Sequence, residues 1–547
     1  TNMVSGESLI RQLLYGKQYY KEVFGTDCQV LWLPDTFGYT GALPQILKSF
    51  GVKYLVTQKI FWSYNGGEQF PYHYFTWEGI DGSKVTSFLP TSYTYRTSPE
   101  EANHVWNNRS QLRDLEAFLY PFGYGDGGGG PCRDHIEYAR RYQNLEGSVR
   151  MEMASPRQFF EDMDKLGGPK NTYVGELYFN CHRGTYTSQA LMKKNNRRGE
   201  LMLQELELWS VLASWKGAGY DKEKLEELWK TVLLYQFHDI LPGTCIGRVY
   251  EEAAKTFEDL FKQGEGLLRA AFGALTDKEG YSVFNSLGFA RRAVVTLPEE
   301  FAAGAVADGE EVPVDVSGPR PQAVVTLPAF GAVNLVPGTV GGEGPVAKVD
   351  KTQTGYVFEN SRVRAVVNSR AEVISFRLKE AGSREFAAGA MNCLRMYKDI
   401  PRRYDAWDID SNYTGQELDS PCRVTGCEIA KARGAMAVLK VSGVIGESAY
   451  TQDIVLEADS SRLEFKTRIE WQEQHRLLKA AFPVQVYTDS GINEMQFGYV
   501  KRPTHRSRPY DRDRFEVCNH RYSALCDENG GAALLNDCKY GISLNGN

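Results

Sequence analysis

The first third of the chain alternates short runs of β-branched or aromatic residues with stretches of helical periodicity. Such alternation is typical of βαβ units around a parallel sheet. The pattern predicts a helix over about 41–50 and a second helix that Pro131 opens after a run of glycines. It also predicts strands over the ranges 29–33, 53–57, 84–89, 116–121 and 149–154. We therefore predict an α/β domain over residues 1–180.

The pattern changes twice further along the chain. Residues 181–275 contain three long amphipathic segments, which predict a helical bundle. The middle segment carries an apolar face at helical spacing, formed by Leu225, Leu228, Trp229, Val232 and Leu233. From 276 to 547, alternating apolar and polar residues between Gly, Asn and Pro turns predict a β-sandwich region.

Composition narrows the class of partner. At 547 residues the chain is too long for one hydrophobic core, which agrees with several domains. Its net charge of -6 offers no basic excess to attract nucleic acid, and no stretch approaches the roughly 20 apolar residues of a membrane helix. We expect neither a nucleic-acid nor a membrane partner, and a homo-oligomer stays open. Ten cysteines scattered singly favour a reducing, cytoplasmic location.

Several polar and aromatic residues follow the predicted strands directly. Asp35 comes just after the first strand, Lys59 after the second, and Tyr93 and Tyr95 after the third, while Asp126 lies in a glycine-rich loop. The carboxyl ends of parallel strands face the ligand crevice, so these side chains should converge. The alternatives are a helix cap for Asp35 and a plain turn residue for Asp126. The glycine run itself lacks the lysine and hydroxyl of a phosphate-binding loop.

A second group of candidate residues flanks the helical segment. His238 and Asp239 end its middle helix, where an imidazole beside a carboxylate suits a divalent metal, although a simple helix stop is the alternative. His182 and Arg183 lie in a polar stretch at the start of the segment. That stretch fits either a sugar-binding wall or an interdomain hydrogen-bond network.

Taken together and in their order along the chain, these motifs resemble those of the family 38 glycoside hydrolases, the α-mannosidases. The resemblance is to the cytosolic and bacterial branch of that family in particular. The resemblance rests on the order and spacing of residues 31–39 with 43–46, 75–82, 125–131, 182–187, 236–243, 406–410 and 502–505. It implies a seven-stranded α/β barrel, a three-helix bundle and a large C-terminal β region. It also implies retaining, exo-acting hydrolysis of terminal α-linked mannose from oligosaccharides, with zinc or another divalent cation such as cobalt.

The resemblance assigns roles to individual residues. The family's nucleophile, which is also a metal ligand, matches Asp35, and a second ligand matches His238. Asp239 matches a residue that contacts the sugar, Phe37 an aromatic beside the metal-bound sugar, and Lys59 a basic residue near the nucleophile.

The acid/base and the stacking surfaces complete the expected site. Asp126 is the best positional match for the acid/base, which would protonate the departing oxygen and then activate water. Phe37, Trp62 and Tyr95 are candidate stacking surfaces, although large aromatics at such positions more often belong to a core.

Three features depart from the family pattern. The family has a His-x-Asp pair that supplies two further metal ligands at the end of its first barrel strand, and no histidine precedes Asp35 here. Phe88 stands where the family often has a histidine, and the family's β region continues beyond the last residues of this chain. We therefore expect an internal fragment without the first barrel strand and without either end.

Other functions compete with this interpretation. A hydrolase of the same family that acts on 6-phosphomannosyl-glycerate would need a basic phosphate pocket beside the site. A barrel-type polysaccharide deacetylase would need an Asp-His-His metal triad, and residues 1–155 hold no histidine pair at suitable spacing. A carbohydrate-binding fragment without activity is the third alternative.

Overall fold

The structure is a computed structural model that describes residues 2–64, 67–126, 128–276, 279–340, 342–419 and 421–546. Gly127, inside the glycine run named above, lies outside the described residues. The first part of the chain begins with a helix whose first turn is capped, because the Ser5 hydroxyl accepts the N–H of Ser8. Its helices are α1 (Gly6–Phe24), α2 (Leu43–Ser49), α3 (Pro99–Asn107), α4 (Arg133–Arg141) and α5 (Pro156–Lys165).

A mixed sheet forms the centre of this first part. Its strands are β1 (Val30–Trp32), β2 (Tyr54–Val56), β3 (Tyr74–Glu78), β4 (Lys84–Phe88) and β5 (Thr172–Val174). Their order is β1-β2-β4-β3-β5, and the pairs are parallel except for the antiparallel pair β3 and β4. Among the described residues this makes a five-stranded sheet with β1 and β5 at its edges, so the seven-stranded barrel is not confirmed.

Two of the predicted strands are wrong. Residues 116–121 form an irregular segment whose Phe118 ring packs against His73 and Phe88, so its apolar side chains fill the core without joining the sheet. Residues 149–154 lead into α5, and the N–H of Val149 donates to the side chain of Asn103 instead of to a neighbouring strand. The first run is apolar because it packs on the sheet, whereas residues 149–154 are mostly exposed.

Three long helices form the middle of the chain: α6 (Ala190–Trp215), α7 (Lys222–Leu234) and α8 (Gly247–Leu275). The predicted apolar face of α7 is buried against the other two helices, with Trp229 and Val232 fully inaccessible. Burial of each aliphatic side chain in such a face contributes about 1.5–3 kcal/mol. The packing of this face holds α7 in the bundle and so sets the position at which the segment after α7 begins.

The rest of the chain is built from antiparallel strands. A first unit holds β6 (Tyr281–Asn285), β7 (Arg291–Thr296), β8 (Ala305–Ala307), β9 (Glu310–Val312), β10 (Val314–Asp315), β11 (Gln322–Leu327) and β12 (Gly331–Pro337). A second sheet holds β13 (Ala347–Lys351), β14 (Gly355–Glu359), β15 (Val363–Asn368), β16 (Val373–Leu378), β17 (Arg384–Glu385) and, from further along, β20 (Arg433–Gly434).

This second sheet packs face to face on a third, and the two share one apolar core. The third sheet holds β19 (Cys422–Lys431), β21 (Met436–Ile445), β22 (Ser448–Glu457) and β23 (Leu463–Glu470). Smaller sheets pair β18 (Cys393–Lys398) with β24 (Arg476–Ala481), and β27 (Val517–Cys518) with β30 (Gly541–Ile542). The last sheet and a short helix comprise β25 (Ser490–Met495), β26 (Gly498–Pro503), β28 (Tyr522–Asp527), β29 (Gly530–Leu535) and α9 (Pro509–Asp513).

Buried polar contacts join this β region to the first sheet. The guanidinium of Arg502 donates to the Glu176 carboxylate over 2.7 Å, and both side chains are only 4% exposed. The Tyr178 hydroxyl donates to the carbonyl of Glu516. A buried ion pair that is also hydrogen-bonded costs several kcal/mol to break, so these contacts hold the two parts in one arrangement. No helix in the described part of the chain is both long and apolar enough to span a membrane.

Candidate active site

Asp35 lies at the carboxyl end of β1, in a turn that is tied to the end of β2. The backbone N–H groups of Gln58 and Lys59 both donate to the carbonyl of Pro34, at 3.1 and 3.3 Å. This tie places Lys59 beside Asp35, with the ammonium 2.8 Å from Oδ1 of the carboxylate. The Lys59 side chain is 9% exposed, so the attraction is only partly screened by water. Asp35 is thereby held in one orientation.

The hydroxyl of Tyr93 lies between the carboxylates of Asp35 and Asp126. It lies 3.2 Å from Oδ2 of Asp35 and 3.3 Å from Oδ2 of Asp126, so one phenol serves two carboxylates. Burial, and then the negative charges of the two carboxylates, raise the pKa of Tyr93, which keeps its proton available for donation. The two carboxylate oxygens can be no more than about 6.5 Å apart, since each lies within 3.3 Å of the same atom.

His238 and Asp239 reach the same place from the segment that follows α7. The Nε2 atom of His238 lies 3.6 Å from Oδ2 of Asp35 and 3.8 Å from Oδ2 of Asp239. The hydroxyl of Thr244 donates to the other oxygen of Asp239 over 2.6 Å. The expected convergence of Asp35 and His238, about 200 residues apart in sequence, is therefore present in the structure.

This segment is held against the start of α6. Lys193 is buried and its ammonium donates to the carbonyls of Ser188, Leu241 and Pro242. Gly243 has a φ of 94° and passes so close to Ser188 that a Cβ there would lie 2.5 Å from the Ser188 carbonyl oxygen. Only glycine combines this backbone conformation with this approach.

Two aromatic side chains, Phe37 and Trp62, lie near Asp35, and we call them the aromatic wall. The indole of Trp62 lies 3.8 Å from the Lys59 ammonium, which is a cation–π contact. The ring of Phe37 stacks on Phe179 at 6.1 Å and meets the edge of His182 at 5.2 Å. Trp62 also contacts Phe179 and His182, so the rings of Phe37 and Trp62 share both neighbours, and their role as stacking surfaces for a sugar stays a prediction.

The structure places His182 behind that wall. Its Nδ1–H and its backbone N–H both donate to Oδ1 of Asp408, at 2.8 and 2.9 Å, and its side chain is 4% exposed. The ring also contacts Trp62 at 5.6 Å. His182 therefore supports Phe37 and Trp62 from behind.

Two other candidate residues lie apart from the carboxylates. Arg183 is buried, with its guanidinium between the rings of Tyr64 and Phe515, in the interdomain network that the sequence left as an alternative. Tyr95 is buried and stacked on Tyr120 at 4.2 Å.

Tyr93, rather than Tyr95, faces the two carboxylates. The sequence brings both tyrosines to this rim without separating them, because they are two residues apart and an extended chain would turn them the same way. The N–H of Thr94 donates to the Ser92 hydroxyl over 3.1 Å, and this turn breaks the alternation between them.

Metal binding requires more ligands than converge here. Within the residues that the structure describes, no group of three or more His, Cys, Asp or Glu side chains is placed to hold a metal ion. Asp35 and His238 fit as a pair, because two ligands of one tetrahedral zinc ion lie about 3.4 Å apart when each bond is about 2.1 Å. A catalytic zinc site takes at least three protein ligands, so this pair does not complete one.

Family models match most of the chain. Residues 1–176 match the glycosyl hydrolases family 38 N-terminal domain, residues 180–275 the alpha mannosidase middle domain, and residues 358–547 the glycosyl hydrolases family 38 C-terminal domain. The helical segment α6 to α8 thus falls inside the second match.

Curated relatives and solved structures agree with these matches. All of the chain aligns at 36% identity with 52% of human alpha-mannosidase 2C1, and at 31% identity with 50% of the alpha-mannosidase of Saccharomyces cerevisiae. The chain therefore spans about half the length of the curated relatives it matches. A crystal structure of an alpha-mannosidase from Enterococcus faecalis V583 superposes with a TM-score of 0.79 at 15% identity, over 99% of this chain and 72% of that one, which shows the fold. With three consecutive family models and two full-chain alignments in agreement, the chain belongs to glycosyl hydrolase family 38.

Proposed function

We propose that this chain carries the catalytic residues of a retaining, exo-acting α-mannosidase, which releases terminal α-linked mannose from oligosaccharides. The observation that supports this most directly is the pair of carboxylates, Asp35 and Asp126, on either side of the Tyr93 hydroxyl. The proposal draws its substrate from relatives that are named alpha-mannosidases.

The carboxylate separation favours retention of configuration. Retaining glycosidases have their two carboxyl groups about 5–5.5 Å apart, while inverting enzymes need about 6.5–9.5 Å to admit a water molecule between them. The Oδ2 atoms of Asp35 and Asp126 are at most about 6.5 Å apart, a limit that includes the retaining distance and reaches only the lower end of the inverting range. A direct attack by one carboxylate fits this spacing better than an attack by water.

The reaction then has two steps. In the first, Oδ2 of Asp35 attacks the anomeric carbon, and the Asp126 carboxyl donates its proton to the glycosidic oxygen as the bond to the leaving alcohol breaks. In the second, the Asp126 carboxylate takes a proton from water, the water oxygen bonds to the anomeric carbon, and the ester to Asp35 breaks. Two inversions leave the released mannose in its original configuration.

The surroundings of the two carboxylates match these different roles. Lys59 binds Oδ1 of Asp35, which leaves Oδ2 as the atom that faces Tyr93 and the sugar. Asp126 lies on an exposed loop, where it can exchange protons with water and with the leaving group. An enclosed nucleophile beside a cation and an accessible acid/base are what the two steps require.

Mannose recognition is proposed for residues around this pair. Phe37 and Trp62 would cover apolar faces of the sugar, and Asp239 would accept a sugar hydroxyl through Oδ2, the oxygen that Thr244 does not bind. His182 would act by supporting the two aromatics.

Arg183 and Tyr95 are assigned to the framework of the site, since both are buried among other side chains.

We further propose that Asp35 and His238 contribute to a site for a divalent cation, zinc or cobalt. Because the pair is short of a full ligand set, no step of the reaction above depends on the ion. A cytoplasmic location is proposed from the ten cysteines, all within the described ranges, which are free thiols.

Substitution of the carboxylates in the full protein that contains this chain tests the function. Asp35→Asn should abolish turnover of aryl α-mannosides. Asp126→Asn should slow a substrate with a poor leaving group far more than one with a good leaving group, since only the poor one needs a proton. NMR of the first product formed should show the α-anomer.

The matched control is Asp162→Asn, an exposed carboxylate on α5, which should leave turnover unchanged. Equal loss on both substrates would remove Asp126 from the acid role. Hydrolysis of the 6-phosphorylated substrate in preference to the plain mannoside would favour the phosphomannosyl-glycerate alternative.

A further inference from the structure

Tyr404 is an aromatic residue in an unfavourable backbone conformation. It lies between β18 and β19, in a loop of the β region, with a φ of 54°. Bulky side chains rarely adopt this left-handed region, and such strain costs on the order of 1–3 kcal/mol. Its side chain is nevertheless 44% exposed, so core packing alone does not explain the conformation.

Hydrogen bonds from neighbouring residues maintain this conformation. The N–H groups of Trp407 and Asp408 both donate to the carbonyl of Tyr404, at 2.8 and 2.9 Å. Asp408 in turn accepts the two hydrogen bonds from His182, which itself has a φ of 53°. Two residues in the left-handed region, His182 and Tyr404, are thus linked through Asp408, and the Tyr404 ring is held edge-on against the rings of His182 and Trp407.

The Tyr404 ring extends the aromatic wall of the proposed active site. It lies 6.5 Å from Trp62 with a 30° tilt, and it meets the His182 ring edge-on at 5.5 Å. A chain of contacts connects it to the nucleophile. The Lys59 ammonium lies 2.8 Å from Oδ1 of Asp35 and 3.8 Å from the Trp62 ring, which lies 6.5 Å from the Tyr404 ring. The Tyr404 ring is therefore no more than about 13 Å from the nucleophile, a distance that a short oligosaccharide bridges.

We propose that Tyr404 is a specificity-determining residue that stacks on the sugar unit of the leaving group. This rests on the proposed mannosidase function. An exo-acting enzyme encloses the terminal sugar, so an exposed ring at the outer edge of the wall is placed to meet the next sugar along the chain. The apolar face of a pyranose packs on an aromatic ring as other apolar surfaces do. The strained loop sets that ring in advance and reduces the entropy lost on binding.

Two substrates that differ only in the leaving group test the proposal. α-Mannosyl fluoride has no sugar beyond the cleaved bond, whereas an α-linked mannose disaccharide has one. Tyr404→Ala should lower the ratio of kcat/KM for the disaccharide over that for the fluoride about tenfold, chiefly through KM, while Tyr404→Phe should keep the wild-type ratio. Tyr404→Gly should lower the ratio too, with an unchanged or higher Tm, because glycine accepts a φ of 54° without strain.

A matched control is Phe330→Ala, another exposed aromatic at positive φ, which lies in the turn between β11 and β12 and should leave the ratio unchanged. A wild-type ratio in Tyr404→Ala, or equal losses on both substrates, would overturn the proposal. Calorimetric binding of the disaccharide to Asp35→Asn, with and without Tyr404→Ala, separates the two hypotheses. Weaker binding without the Tyr404 ring supports the stacking role of Tyr404. Equal binding overturns that role. If the wild type hydrolyses neither substrate, the mannosidase function alone is refuted.

Discussion

Removal of one hydroxyl group from Tyr93 should impair catalysis without unfolding the protein. Tyr93→Phe deletes the donor that lies 3.2 Å from Asp35 and 3.3 Å from Asp126 and keeps the ring in place. A hydrogen bond to a charged group contributes about 1.5–3 kcal/mol. Both distances are long and one proton serves two acceptors, so the lower end applies, and kcat/KM should fall roughly 10–30-fold.

The neighbouring tyrosine provides the control for this substitution. Tyr95→Phe removes a hydroxyl that accepts the N–H of Ser92 in the core, so it should lower Tm and leave kcat/KM of the folded enzyme within about twofold. Kinetics on an aryl α-mannoside and thermal melts of both variants are the assay. Wild-type kcat/KM in Tyr93→Phe, or an equal loss in Tyr95→Phe, would refute the assignment of Tyr93 to the two carboxylates.

Three further predictions concern other parts of the molecule. Gly243→Ala should lower both Tm and turnover, measured by melts and kinetics, because its Cβ would meet the Ser188 carbonyl and displace the His238 segment. Burial, with Asp405 and Asp410 nearby, raises the pKa of Asp399 to about 6, so the folded state binds more protons than the unfolded state between pH 4 and 6 and loses stability as pH rises through that window. Urea unfolding of Asp399→Asn should lack this loss. Mass spectrometry of this chain alone should find less than one zinc per molecule, since only Asp35 and His238 converge.

Local patterns predict the parts of the site that lie at the ends of parallel strands. Asp35 and Lys59 follow β1 and β2 directly, and strand ends of neighbouring parallel strands meet at one edge. The apolar face of α7 is likewise visible in the sequence, because it repeats at helical spacing over one continuous segment.

Contacts between distant segments explain what the sequence does not predict. Residues 74–78 form β3, which pairs antiparallel with β4. The sequence pattern predicts a parallel sheet built from βαβ units, and such a sheet does not contain this hairpin. The run 116–121 has strand-like composition, yet it packs on the sheet instead of joining it, and the run 149–154 is a mostly exposed segment that leads into α5. Tyr404 reaches Trp62 from more than 300 residues away, and no spacing rule connects them.

The central claim is that Asp35 forms a covalent bond to the sugar, and a mechanism-based label tests it most directly. A fluorinated α-mannosyl fluoride slows the second step of a retaining reaction more than the first, so the glycosyl-enzyme accumulates. We predict that peptide mapping by mass spectrometry of the full protein will find one label per active site, on Asp35. A label on another carboxylate, or steady turnover without a label and with release of the β-anomer, would contradict the account.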